Sequence, residues 1–261
     1  MKSFEPKIAI VIVLIIGLLQ FSACSSSEVN ESQSSSTKGS ASQVAESENP
    51  SMPEATPEVE KDIVPELEPV LPVTITDAVG NTITITSVER IIPLDGSVAE
   101  VVFALDLGAN VVATDRSATW PPEASELPQI GYQRSLLAEP IAGFTPTVLI
   151  GTEIAGPEKT LDDLRRLGYP VVIVPSEATM QGPAEKIRAV AEALGVPNRG
   201  EELATEMEKT IVSNTQVFEE DMRPVVAALY IRGTGTQLVL GRDSATHWLI
   251  NAAGGKNVAD I

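Results

Sequence analysis

The chain has 261 residues, enough for one or two domains, and a 43% hydrophobic share that supports a sizeable core. Its formal charge of −18 argues against a nucleic acid or an anionic lipid surface as the partner. Cys24 and His247 are the sole cysteine and histidine, which excludes an internal disulfide, a Cys-based metal site and a His-pair metal centre.

At the start, Lys2 and Lys7 precede the apolar run Ile8 to Leu19, which has the length of a signal peptide rather than of a membrane span. It ends Phe21-Ser22-Ala23-Cys24. Small residues before a cysteine resemble the lipobox of bacterial lipoproteins, with Phe21 departing from the usual leucine. Residues 1–23 are therefore read as a signal peptide and Cys24 as a lipidated N-terminus; an uncleaved anchor with an incidental cysteine is the alternative. Residues 24–72 carry ten acids against two bases and are rich in Ser, Pro and Glu. Such a segment buries too little to fold and reads as a self-repelling tether.

Folding is expected from Val73. Thr74 to Asp77 and Thr82 to Ile85 alternate around Val79-Gly80-Asn81 as a hairpin. Arg90 to Leu94 reads as a short buried strand, followed by a helix capped by Ser97 and running to about Leu107. Val111 to Thr114 reads as the next strand. A helical stretch near 138–142, a strand at 147–151, a helix at 159–167 and a strand at 171–174 complete a first lobe over 73–181. This alternation predicts a parallel sheet covered on both faces, with ligands beyond the carboxyl ends of its strands. The loops at 93–97, 115–122, 131–136, 152–157 and 175–179 lie there.

Helical periodicity then dominates 182–223, interrupted at Gly195-Val196-Pro197-Asn198. A new strand, Val225 to Ile231, opens a second unit over 224–261, followed by the turn Gly233-Thr234-Gly235, a strand at 237–240 and a helix capped by Ser244 through Ala252. The predicted fold is α/β, with two Rossmann-like lobes joined by a long rigid helix and the second lobe incomplete at Ile261. Gly233-Thr234-Gly235 is no dinucleotide fingerprint, because strand residues follow it. His247 has no evident acid or nucleophile beside it in sequence and reads as a surface or core residue.

From Val73 onward several strings together resemble the substrate-binding proteins of ABC importers for haem, ferric siderophores and vitamin B12. They are Ile75 to Asn81, Ser97 to Glu100 with Ala104-Leu105, Leu127 to Tyr132, and Ala252 to Asp260. The resemblance is closest to haem-binding members, whose second lobe carries a Tyr-x-Arg strand end, matched here by Tyr230-Ile231-Arg232. It implies two lobes around a rigid helix, a monomer outside the cytoplasm held at the membrane by its lipid anchor, and an ABC permease with its ATPase as partners. No cofactor serves an activity, since haem would be the transported ligand.

The resemblance makes Tyr230 the axial ligand to haem iron and Arg232 its partner. Independently, residues two apart on a strand share a face, and ferric iron suits a phenolate oxygen. A free phenol ionises near pH ~10, so a guanidinium that donates to the oxygen favours the bound phenolate. In the first lobe Trp120 stands where many haem-binding members have a tyrosine ligand; indole cannot ligate iron but stacks on a porphyrin. Tyr132 and Arg134 lie where other members have a histidine and are further haem contacts, Tyr132 alternatively packing only against its loop. Glu139 matches a surface glutamate that docks on permease arginines, or merely favours a helix dipole. A siderophore or cobalamin binder, an extracytoplasmic hydrolase using His247, and a truncated surface protein are the competing readings.

Overall fold

The computed structural model describes residues 68–260. The signal peptide expected at 1–23, the expected lipidation site Cys24 and the expected tether as far as residue 67 lie outside the described residues. Contact with the folded body begins at Val70, whose N–H donates to the carbonyl of Gly195 at 2.9 Å. That is upstream of the start expected at Val73.

Strands β1 (Val73–Thr76) and β2 (Thr82–Ile85) form the expected antiparallel hairpin, in register from Val73↔Ile85 to Thr76↔Thr82. Its turn is built by Asp77, whose Oδ1 accepts from the N–H of Val79 (3.1 Å) and of Asn81 (2.7 Å). Gly80 supplies the left-handed residue, at φ 87°.

The centre of the fold is a parallel sheet in the order β3 (Ile91–Pro93), β4 (Val148–Thr152), β5 (Val171–Val174). Period-two alternation sorts its side chains into two cores. Ile91, Val148, Ile150, Val172 and Val174 pack on one face with Val98, Val102, Val190 and Ala191. These last four come from helices α1 (Gly96–Ala104) and α5 (Gly182–Ala193). Ile92, Leu149, Val171 and Ile173 pack on the other face with Ile141, Leu161 and Leu164. Those belong to α3 (Ala138–Gly143) and α4 (Glu158–Arg166); the short α2 (Pro122–Glu126) lies between α1 and α3 in the chain. The mixed α/β architecture with both sheet faces covered is thus as expected.

Two local expectations fail. Val111 to Thr114 is not a strand and makes only single parallel bridges, Ile91↔Val111 and Thr114↔Gln129. The N–H of Val112 reaches the carbonyl of Ile91 at 3.1 Å, and the next rung would need an N–H from Pro93, which has none. Thr114 then donates to Pro128 instead, at 2.9 Å. Helix α1 is capped by Asp95 rather than Ser97, and it stops at Ala104, with Asp106 in the left-handed region at φ 63°.

The stretch 182–223 is not one continuous rod. Helix α6 (Pro197–Asn214) runs about 27 Å and folds back antiparallel on α5, reversing at Gly195 (φ 75°). Gly200 packs against Ala191, and Arg188 bridges the pair, donating to Glu201 (2.7 and 2.9 Å) and to Glu208 (2.8 Å). Beyond α6 only a 3₁₀ turn, Glu220–Met222, precedes the strands. The strand expected over Val225 to Ile231 is divided. β6 (Val225–Val226) pairs in parallel with β9 (Lys256–Asn257), while β7 (Leu229–Arg232) and β8 (Thr236–Val239) form an antiparallel hairpin. Helix α7 (Ala245–Ala252) lies between β8 and β9 in the chain.

The close α5–α6 approach generates a prediction. A Cβ at Gly200 would collide with that of Ala191, so Gly200→Val lowers unfolding free energy by about 1–3 kcal/mol in urea titration. Gly143, in α3 with open space around it, behaves oppositely: Gly143→Ala is neutral or stabilising by up to about 1 kcal/mol. Equal behaviour of the two variants would contradict this packing.

Candidate functional site

The carboxyl ends of β3, β4 and β5 carry a set of loops joined by buried polar groups. Asp95, directly after β3 and only 1% exposed, is saturated with donors. Its Oδ1 accepts from Ser97 Oγ (2.7 Å) and the Val98 N–H (3.1 Å), and its Oδ2 from the Thr152 N–H (2.8 Å) and Oγ1 (3.0 Å). One carboxylate therefore fixes the end of β3, the start of α1 and the end of β4. Gly96 follows because a Cβ there would strike the carbonyl of Ser117. Lys186, from the start of α5, donates to Ser97 Oγ at 3.0 Å.

Ser117 relays the connection outward. Its Oγ accepts from the Gly96 N–H (2.9 Å) and donates to the carboxylate of Asp115 (2.8 Å). Asp115, itself fully buried, also accepts from the N–H of Ser117 (3.0 Å) and of Gln133 (3.3 Å). The Arg116 N–H donates to Gly131 (2.8 Å), the Gly156 N–H to Gln133 (2.8 Å), and the Leu136 N–H to Gly156 (2.8 Å). Loops 95–97, 115–119, 131–136 and 152–156 are thereby tied into one rim. Sequence reasoning missed Asp95 and Asp115 as its organisers; the signal was an Asp at the exit of a buried segment followed by a small or hydroxyl residue, Asp95-Gly96-Ser97 and Asp115-Arg116-Ser117.

This rim carries the aromatic and basic groups singled out in the first lobe. Trp120 is 63% exposed and Tyr132 45% exposed, and Arg134 is also exposed. They belong to the two loops joined by the Arg116–Gly131 and Asp115–Gln133 bonds. Glu139 stands exposed in the first turn of α3.

Tyr230 and Arg232 lie elsewhere, on β7, projecting from the same face of the hairpin; Tyr230 is 46% exposed. Among the described residues, no hydrogen bond or ion pair joins this hairpin to the rim. The segment around it is held by polar contacts. Arg223 donates to Asn251 Oδ1 (2.8 Å) and to the carbonyl of Gly255, and Gln216 donates to Ala252 (2.7 Å).

His247 does have an acid beside it, contrary to expectation: its Nδ1 lies 3.7 Å from Asp260 Oδ2. Its Nε2 faces the Asn251 amide at 3.1 Å. Arg223 holds Asn251 with its oxygen turned away, so the amide donates and Nε2 accepts. A triad needs a nucleophile at that nitrogen, and an amide occupies the place. The hydrolase reading finds no support in this arrangement.

A family model described as periplasmic binding protein matches residues 91–261. The chain belongs to this family. It is 46% identical to the periplasmic heme-binding protein RhuT from Roseiflexus sp. RS-1, solved in apo form, covering 66% of each chain with a TM-score of 0.62. To the heme-binding protein HmuT it is 30% identical over 74% of this chain and 64% of that one, with a TM-score of 0.63. HmuT has also been solved with a tyrosine, and with an arginine two positions further on, replaced by alanine. The vitamin B12-binding protein of Vibrio parahaemolyticus is 25% identical over 48% of this chain. The chain spans 46% of that relative's length and about two thirds of the two heme-binding structures.

Burial raises the pKa of Asp115 above its ordinary 3.8, opposed by the donors from Ser117 and Gln133 and assisted by the nearby charge of Asp95. A folded pKa above the unfolded one means the native state binds the proton more tightly. Stability from this group is then fully present below the unfolded value and lost as pH rises through the folded one. The carboxyl signal of Asp115 in NMR is expected to titrate above 3.8, and Ser117→Ala, which deletes one opposing donor, to move the midpoint higher still. A midpoint unchanged or lowered in that variant would refute the assignment.

Proposed function

We propose that this chain is the lipid-anchored substrate-binding component of an ABC importer and that it captures haem for delivery to a membrane permease. The carrying observation is the Tyr230-Ile231-Arg232 strand, with phenol and guanidinium on one exposed face, in a chain 46% identical to a heme-binding protein. In this reading Tyr230 is the axial ligand to ferric iron, and Arg232 favours the phenolate or meets a propionate. Trp120, Tyr132 and Arg134 form the facing wall on the first α/β lobe. Residues 224–261 begin a second lobe, and α6 runs toward it from the first. Cys24 carries the anchor, 24–72 the spacer, and Glu139 contacts the permease.

The ends of the strands support the assignment of the first-lobe wall. In doubly wound sheets ligands bind beyond the carboxyl ends, and Trp120, Tyr132 and Arg134 all stand there on loops locked by the Gly96–Ser117, Ser117–Asp115 and Gln133–Asp115 bonds. Exposed aromatics on a fixed frame are poised to stack on a planar ring. A second reading, cobalamin capture, is favoured by the relatives described as vitamin B12-binding proteins. A ferric siderophore would likewise be held by aromatic walls and arginines without a bond from the protein to iron.

Hemin titration followed by absorbance separates these. The protein is expected to give a saturable Soret change with a tyrosinate-to-iron charge-transfer band, and Tyr230→Phe to lose that band. If cyanocobalamin binds saturably while hemin gives no Soret change, the cobalamin reading replaces the haem one.

A further inference from the structure

The register of the β7–β8 hairpin assigns further residues to the face that carries Tyr230, an assignment that rests on the haem reading above. Tyr230 pairs with Leu238 and Arg232 with Thr236, while Leu229 pairs with Val239 and Ile231 with Gln237. Because directly paired residues project to the same side, one face presents Tyr230, Arg232, Leu238 and Thr236. The opposite face presents Leu229, Ile231, Val239 and Gln237. Exposure does not distinguish them, since Leu238 is 54% and Val239 57% exposed. Chemistry does. Only the first face combines a metal-ligating oxygen, a cation and an apolar side chain; the second has no charged group.

We infer that Leu238 is a specificity-determining contact of this face, packing against the apolar macrocycle of a metallotetrapyrrole whose axial position is free for Tyr230. A leucine is shorter than a tyrosine, so a planar ring resting on the phenol oxygen passes above Leu238, whose isobutyl group fills part of the space beneath the ring. Arg232, exposed, and Thr236, half-buried, stand at the turn end of the same face, where the guanidinium can meet peripheral carboxylates. The face thus selects a ligand that is flat, apolar at its centre, anionic at one edge and coordinatively unsaturated. A ferric ion already wrapped by hydroxamate or catecholate oxygens offers no vacancy for the phenol and no flat underside for the leucine.

The test is hemin titration of the unmodified protein beside Leu238→Ser, Leu238→Met and Val239→Ser, each checked for folding by circular dichroism. Leu238→Ser is expected to weaken binding about tenfold, the order of magnitude for loss of a partly buried leucine contact, while retaining the tyrosinate charge-transfer band. Leu238→Met, which conserves apolar volume, restores affinity, and Val239→Ser stays within about twofold of the unmodified protein. Unchanged affinity in folded Leu238→Ser, or equal weakening by Val239→Ser, overturns the inference while leaving haem capture standing. Failure of the unmodified protein to bind hemin overturns haem capture itself, and this inference with it.

Discussion

The carboxyl end of the sheet depends on one buried carboxylate. Asp95 leaves β3 with no access to water and accepts four donors drawn from α1 and from the end of β4. An unpaired charge in that position would be costly, and its removal would strand the N–H groups of Val98 and Thr152 without partners. Everything outward is keyed to this point. Gly96 admits Ser117, Ser117 reaches Asp115, and Asp115 holds Gln133, whose carbonyl takes the N–H of Gly156. Trp120 and Tyr132 are therefore exposed without being loosely placed, since their loops are fixed from beneath.

The segment after α6 rests on different forces. Among the described residues, Ile250 is its only buried large apolar side chain, whereas Leu229, Ile231, Leu238 and Val239 are all more than half exposed. Its cohesion comes from directional contacts: Arg223 on Asn251 and Gly255, Asn257 on Leu240, and Lys256 on Glu220. Polar contacts at partly exposed positions contribute little net stability each. The sheet-centred body and this segment are thus unequal partners, the first held by two apolar cores and the second by a lattice of hydrogen bonds.

Much of the body was legible because its determinants are local. Short continuous apolar runs at 148–152 and 171–174 have the signature of fully buried strands, and α4 declares itself by Leu161 and Leu164 among charged neighbours. What could not be read depends on partners distant in sequence. Asp95 and Ser97 are both good N-caps, and the choice falls to Asp95, which also meets Thr152. The apolar run at 111–114 looks like a strand, but its ladder fails because the neighbouring position is Pro93. Likewise, Tyr230 and Arg232 were legible as same-face residues from their spacing, whereas Leu238 joins them only through a cross-strand register that no local pattern encodes. The acid beside His247 was not legible for the same reason, since Asp260 lies 13 residues further along the chain.

The bond between Val70 and Gly195 gives the body a polarity. Helix α5 starts beside the carboxyl ends of the strands, where Lys186 meets Ser97, and runs back to Gly195 at the opposite end of the sheet. The incoming chain is therefore fastened at the foot of the body, with the rim of Trp120 and Tyr132 at its head. The α5–α6 reversal at that end is braced by the Arg188 ion pairs. Any pull on the chain at Val70 would therefore load the end of the body remote from its rim.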